Sequence, residues 1–238
     1  MTISLSPLNL QSTLSCLPRL PNGGWWTDGT LTQVPALPLH LWEFESCPYC
    51  RKAREAFSEL DIDYVSHPSG AGSNNRDEVI QRGGKAQFPY LFDPNTGERL
   101  YESEAIVDYI RSTYGAGQRP LWRRALGPVN TFGSALASAI SPQGGRARDG
   151  AKDRTQPAAP LELWQFEMSP YCRKVRQTLT AQNLVFRVHN VAKRGRQRDA
   201  LVALGGKMQV PYLVDPNTGV SMYESDEIVA YLRATYGH

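Results

Sequence analysis

Apolar and polar residues alternate in two short stretches, Leu39-His40-Leu41-Trp42-Glu43-Phe44 and Leu161-Glu162-Leu163-Trp164-Gln165-Phe166. A period of two suits a strand with one buried face. A segment readable as a helix follows the first stretch, from about 48 to 60, and then a strand near Ile62 to Val65. Arg76 to Arg82 allow a short helix before Gly83-Gly84. The run Phe88 to Phe92, the turn Asp93-Pro94-Asn95-Thr96-Gly97 and a strand ending at Tyr101 come next. The last helix is expected from Ser103, read as its N-cap, to Tyr114, with Gly115 as its stop. The predicted order is β-α-β-α-β-β-α.

The same order returns at a constant offset of 122 residues. Leu39 matches Leu161, Pro89 matches Pro211, and Gly115 matches Gly237; roughly 36 of about 77 paired positions are identical without a gap. The fold class is therefore α/β, an internal duplication of one small module. The expected division is a leader at 1–38, a first module at 39–115, a linker and second leader at 116–158, and a second module at 159–238. Pro21, Gly23-Gly24 and Asp28-Gly29 also match Pro142, Gly144-Gly145 and Asp149-Gly150, at an offset of 121. These leaders read either as part of the duplicated unit or as plain Pro/Gly linkers. Leu121 to Ile140 has apolar spacing suited to a bridge between modules. Tandem copies of one module often pack around a pseudo-twofold axis, as homodimers do.

Composition narrows the function. A net charge of +3 gives no argument for nucleic acid, and no apolar run approaches the roughly 18–20 residues of a membrane span. Four cysteines, Cys16, Cys47, Cys50 and Cys172, are too few for a secreted disulfide scaffold of 238 residues. A single C-x-x-C lacks the second pair of a structural zinc site, so no metal is expected there. It reads as a redox pair in a reducing compartment, and the protein is expected in the cytoplasm.

The chemistry centres on Cys47-Pro48-Tyr49-Cys50-Arg51-Lys52 and its near copy Ser169-Pro170-Tyr171-Cys172-Arg173-Lys174. Cys47 and Ser169 fall where a strand hands over to a helix N-terminus, with unpaired N–H groups and the positive end of the helix dipole. A thiol there, beside Arg51 and Lys52, is expected to ionise readily, to be exposed and to attack a disulfide, with Cys50 resolving the mixed species. Phe88-Pro89 and Val210-Pro211 form a second constellation. A proline opening a strand gives no N–H to the ladder, and a cis bond before it turns the preceding backbone outward. Glu102-Ser103 and Glu224-Ser225 form a third, either a carboxylate site at a helix N-terminus or plain caps.

These motifs resemble the thioredoxin-fold domain shared by glutaredoxins and the N-terminal half of soluble glutathione transferases, over about two-thirds of the chain. Cys47-Pro48-Tyr49-Cys50 is similar to the glutaredoxin form. Gln87-Phe88-Pro89-Tyr90-Leu91 and Tyr101-Glu102-Ser103-Glu104-Ala105-Ile106 resemble the transferase pattern. The resemblance implies glutathione as cofactor, cis bonds before Pro89 and Pro211, and a Phe88 backbone that pairs with the cysteinyl part of glutathione. It further implies that Glu102 and Ser103 hold the γ-glutamyl end. Lys85 or Gln87, with Arg51 or Lys52, would meet the glycine carboxylate, and Tyr49 and Tyr171 lie beside the ligand. Val210, Glu224, Ser225, Lys207 and Gln209 are the corresponding positions of the second module.

Two departures bear on activity. No long helical domain follows either module, so a full transferase's pocket for electrophiles is not in the pattern. Ser169 cannot exchange disulfides, which leaves Cys172 in the resolving position. The expected function is a glutathione-dependent thiol–disulfide oxidoreductase acting on glutathionylated or disulfide substrates. In that reading the first module is catalytic and the second binds glutathione or is degenerate. A transferase-like enzyme using Ser169, an iron–sulfur carrier ligated by Cys47, and a non-catalytic binding module are the alternatives. Trp42 and Trp164 read as core; His67 and His189 recur in what reads as a loop without a base partner.

Overall fold

A computed structural model describes residues 31–117 and 144–237. Cys16, Trp25-Trp26, the leader positions before residue 30 and the Leu121 to Ile140 stretch lie outside the described residues. Eight strands form one sheet: β1 (Leu39–Glu43), β2 (Tyr64–Pro68), β3 (Tyr90–Phe92), β4 (Arg99–Tyr101), β5 (Leu161–Gln165), β6 (Phe186–Asn190), β7 (Tyr212–Asp215) and β8 (Val220–Met222). Their spatial order is β4-β3-β1-β2-β6-β5-β7-β8. Six helices accompany them: α1 (Pro48–Glu59), α2 (Asn75–Gly83), α3 (Ser103–Tyr114), α4 (Pro170–Ala181), α5 (Arg198–Gly205) and α6 (Ser225–Tyr236). Each half is a thioredoxin-fold module in the predicted order, with a parallel β1–β2 or β5–β6 pair flanked by an antiparallel pair.

The second strand starts later than its sequence suggests, at Tyr64 rather than Ile62, and runs to Pro68. His67 and His189 therefore lie in strands, not loops, because the parallel pairing with β1 and β5 extends to Trp42↔His67 and Trp164↔His189. The strand before the turn is also shorter than the apolar run, since pairing begins at Tyr90. Ser103 is the first helical residue and Glu102 occupies the cap position. Gly115 ends α3 in extended backbone, so left-handed freedom is not its use. A Cβ there would meet the Arg111 carbonyl at 2.9 Å and Leu60 at 3.0 Å, and only glycine permits that approach.

The halves join edge to edge through an antiparallel β2–β6 pair, with Tyr64 opposite Val188, Val65 opposite Arg187 and Ser66 opposite Phe186. Val65 and Arg187 are themselves duplicated counterparts, so the contact is made by the same positions on both sides. One apolar core runs through both modules, from Leu39, Phe57 and Ile110 to Leu161, Leu179 and Leu232. On the other face Trp42 packs with Val79 and Tyr90, and Trp164 with Leu201 and Tyr212.

Helices α1 and α4 are buried on nearly every side, including Arg51, Lys52, Arg54 and Glu55 of α1. The charged face of a helix does not normally sink into a core. Here it does so because the charges meet one another across the junction. Glu45 and Glu167, two residues before Cys47 and Ser169, are each held by the arginine of the opposite module. Arg176 Nε lies 2.8 Å from Glu45 and Arg54 Nε lies 3.2 Å from Glu167.

Candidate active site

Register brings the sequence motifs to one edge of the sheet. Trp42 faces Tyr90 and Tyr90 faces Tyr101, so the residues just beyond them converge: Phe44 toward Phe88, and Pro89 toward Glu102. The Phe44 and Phe88 rings meet edge-on at 6.0 Å. Both the Phe88-Pro89 and Val210-Pro211 bonds are cis. Beside them Gln87 Nε2 donates to Glu102 Oε1, and Gln209 Nε2 donates to Glu224 Oε1 at 2.6 Å. Lys85 and Lys207 lie over the rings of Tyr101 and Tyr223, whose hydroxyls donate to the lysine carbonyls at 2.9 Å.

Glu102 and Glu224 both hold φ at +66°, a region that costs a non-glycine residue about 1–3 kcal/mol. Neither side chain caps its helix, so plain capping does not explain them. The twist leaves Glu102 exposed and turns Ser103 inward at the start of α3, 4% exposed. The first N–H groups of the helix, with the positive end of its dipole, receive no side-chain cap.

Cys47 is the cap of α1, and its Sγ accepts the Cys50 N–H at 3.2 Å. Pro48 follows in the first turn, where no N–H is needed. The Cys47 thiol is pushed below the usual thiol range, first by the Cys50 thiol that donates to it. The Cys50 and Tyr49 amides and the charge of Arg54 add to that, against burial. The expected direction is met and so is the part of its cause assigned to helix amides, but the part assigned to Arg51 and Lys52 is not. Arg51 is bound to Glu55 at 3.3 Å and Lys52 to Glu104 at 2.8 Å, both nearly buried. The exposure of Cys47 also differs from expectation: it is 5% exposed, because α1 is sunk into the module junction, while Tyr49 beside it is 50% exposed. Cys50 is fully buried and its thiol is raised well above the usual range by burial and by the neighbouring Cys47 and Glu43. None of Cys47, Cys50 and Cys172 is in a disulfide.

The second module repeats this geometry with oxygen in place of sulfur. Ser169 caps α4 and its Oγ accepts the Cys172 N–H at 3.3 Å. Cys172 is fully buried and burial pushes its thiol up to about 11, so it stays protonated at neutral pH. Tyr171 is 37% exposed, Arg173 is buried, and Lys174 is buried against Asp226.

Sequence reasoning missed the charge cluster behind the site. Arg54 donates to Glu43, to Glu167 and to the carbonyls of Phe44 and Glu45, the loop that carries Cys47. Arg176 serves the Ser169 loop in the same way, through Gln165, Glu45 and the Glu167 carbonyl. The signal was present: Arg54/Arg176 and Glu45/Glu167 are identical pairs at the 122-residue offset, on helices that read as surface. Burial by itself would raise Glu45, but Arg176, Arg54 and Arg173 outweigh it and hold its carboxyl down at about 2. Among the described residues no group of three or more His, Cys, Asp or Glu could hold a metal ion, and no helix is long and apolar enough to cross a membrane.

A strand-to-helix cap of cysteine in one copy and serine in the other, a cis-proline strand and a glutamate-serine helix start define a thioredoxin-fold site built twice. The sequence profile described as "Glutathione S-transferase, N-terminal domain" matches residues 41–120 and again 163–238. The chain belongs to that family, with the domain in tandem. It is 28% identical over 54 residues to glutaredoxin 3 of Escherichia coli strain K12, and equally to that of strain O157:H7. That stretch is 23% of this chain and 65% of those relatives' length. Among solved structures, a trimeric glutathione transferase from Leishmania aligns over 84% of this chain and 67% of its own, at 13% identity and a TM-score of 0.30.

Proposed function

We propose that the first module, residues 39–115, is a glutathione-dependent thiol–disulfide oxidoreductase, with Cys47 as nucleophile and Cys50 as resolving thiol. The observation that carries this reading is the opposed state of the two sulfurs. Cys47 accepts a helix N–H and is disposed to ionise, while Cys50 is buried and held as a thiol. A low-pKa attacking sulfur beside a protonated reserve is what stepwise disulfide exchange needs.

Glutathione fits part of the cradle. The N–H and C=O of Phe88 join no strand or turn hydrogen bond among the described residues, leaving them for the cysteinyl part. Ser103 and the uncapped start of α3 suit the γ-glutamyl carboxylate, with Glu102 for its amine. Lys85 and Gln87 stand at the rim for the glycine carboxylate. Arg51 and Lys52 fit less well, since each is engaged with a carboxylate of its own.

In the reaction, the Cys47 thiolate attacks the glutathionyl sulfur of a mixed disulfide. The substrate leaves as a thiolate and takes a proton. Glutathione thiolate then attacks the same sulfur, giving oxidised glutathione and restoring Cys47. Alternatively, Cys50 loses its proton and attacks Cys47, releasing reduced glutathione and forming a Cys47–Cys50 disulfide. The second module, residues 159–238, binds glutathione through Val210, Glu224 and Ser225 without exchanging disulfides, because Ser169 offers no sulfur. The self-matching β2–β6 register supports a pseudo-twofold arrangement that sets the two sites back to back. The cytoplasm, whose glutathione pool keeps such thiols reduced, is the compartment proposed.

The test is reduction of a glutathionylated substrate coupled to glutathione reductase, for wild type, Cys47→Ser and Cys50→Ser. Loss with Cys47→Ser alone supports the one-thiol route, and loss with both supports the two-thiol route. Wild-type protein that binds glutathione but does not turn over would overturn the oxidoreductase reading.

A further inference from the structure

The two modules differ along one side of α4, from Lys174 at the end of the second motif to Gln182 past the helix. In the first module the end of α1 is tied to the core and to α3. Leu60 ends α1 at 1% exposure in the core, Leu31 bridges to Gly115, and Glu59 holds Arg111 at 2.5 Å. In the second copy Arg111 and Gly115 persist as Arg233 and Gly237, but the residues around them change. Gln182 stands for Leu60, Ala181 for Glu59, and Arg146-Ala147-Arg148 align at the leader offset of 121 with Trp25-Trp26-Thr27.

The result is a pair of adjoining cavities of about 540 and 520 Å³ that share Arg146, Arg148 and Gln182. Arg154 lines the first and Arg233, the counterpart of Arg111, lines the second, where Ala181 has removed the glutamate. Asp149 is the acid on the first rim. Gln182 is 1% exposed, and among the described residues neither its Oε1 nor its Nε2 has a hydrogen-bond partner. A buried amide in that state is destabilising, and Leu60 at the same position of the first module shows that the fold does not need it.

We infer that this cleft between residues 146–154, α4 and α6 is a binding site for a small polyanion, one carrying two or more phosphate or carboxylate groups. Guanidinium forks match both anions with paired hydrogen bonds. The Gln182 amide supplies both a donor and an acceptor for the ligand's polar centre. The site does not depend on the cysteine chemistry or on the glutathione cradle.

The full chain is titrated calorimetrically with inorganic pyrophosphate and, separately, with citrate, at constant ionic strength set by chloride. Wild type, Arg146→Ala/Arg148→Ala and Gln182→Leu are compared, with glutathione titrated into each as a control. Saturable binding of either anion that weakens at least tenfold in both variants, with glutathione binding unchanged, is expected. Preference between the two anions names the ligand's charged groups. Gln182→Leu restores the first module's own residue, so it keeps the test sound even where the double variant folds poorly. No saturable binding by wild type, or binding that survives both variants, overturns the site.

Discussion

The modules share the residues proposed to cradle glutathione and differ in the atom that would use it. Both have a capped cysteine-motif helix, a cis-proline strand and a twisted glutamate before the last helix. Only the first has sulfur at the cap. The difference between Cys47 and Ser169 separates what the fold needs from what disulfide chemistry needs. Ser169 accepts the same amide that Cys47 accepts, so the cap survives while the nucleophile does not.

The largest effect is expected from exchanging that atom. Cys47→Ser gives the first module the Ser-Pro-Tyr-Cys motif of the second and should lower disulfide turnover on the order of 10³-fold or more, since Cys50 and Cys172 are buried thiols held above the usual range. Ser169→Cys should give the second module a Cys-Pro-Tyr-Cys site of its own. Turnover then returns in the Cys47→Ser/Ser169→Cys double variant, measured in the same coupled assay. A double variant as inactive as Cys47→Ser alone would show that the second cradle does not receive the substrate.

Next comes the junction, where duplicated residues are not equivalent. Glu55 holds Arg51, but its counterpart Gln177 carries no charge, and Arg173 Nε lies 3.4 Å from Glu45. Glu45 thus faces three arginines, and its carboxyl is held near 2. Glu167 is raised instead, burial leading and the arginines falling short of offsetting it. A carboxyl lowered by two to three pH units contributes about 3 kcal/mol at neutral pH. That contribution is present above the unfolded value near 4.5 and is lost as pH falls toward 2. Glu45→Gln should therefore cost about 3 kcal/mol at pH 7 by urea unfolding, and Glu167→Gln distinctly less. Equal losses would mean that the two carboxylates sit in equal fields.

The module order, the duplication and both cysteine motifs were legible, because alternation, turn residues and a fixed offset can be read along the chain, while the cis bonds before Pro89 and Pro211 came from the family resemblance. The junction was not. Arg54, Glu45 and Arg176 read as solvated charges on helix faces, and only the partner module, 122 residues away, turns them inward. The second strand was placed two residues early because Ile62 looks like its first apolar residue. In the structure Ile62 closes α1 through its amide, which donates to the Phe57 carbonyl, and Asp61 takes the positive φ between helix and strand. The histidines were read as loop residues for the same reason.

Asp61 and its counterpart Asn183 sharpen the comparison further. Both hold φ near +55°, a conformation asparagine tolerates well. Asn183 is fully engaged, accepting from Ser73 and Asn75 and donating to Asn74 and to the Ala151 carbonyl. Asp61 is 4% exposed and one of its oxygens has no partner among the described residues. Burial raises its carboxyl to about 6, against the Arg196 amide that donates to it. A raised carboxyl favours folding below the unfolded value near 3.8, and that advantage is lost as pH climbs through 6. Asp61→Asn should then stabilise the protein by roughly 1–3 kcal/mol at pH 8 and by little at pH 4. A melting temperature unchanged at pH 8 would remove the argument.

The smallest effect separates the paired histidines. His67 stacks on Trp42 at 4.2 Å and meets His40 at 2.9 Å. Burial, then the charges of His40 and Arg82, push it down to about 3. His189 stacks on Trp164 at 4.4 Å but reaches Asp63 of the first module at 2.8 Å and Glu162 at 3.4 Å. Burial would lower it, and the two carboxylates more than reverse that. His189 therefore contributes stability below the unfolded value near 6.5 and loses it as pH rises through its own higher value. His67 contributes above 6.5 and loses as pH falls. Replacing each with glutamine should change stability by about 1 kcal/mol, with opposite slopes between pH 6 and pH 8. Slopes of the same sign would mean that the cross-module carboxylate does not charge His189, and that the junction is held by the arginines alone.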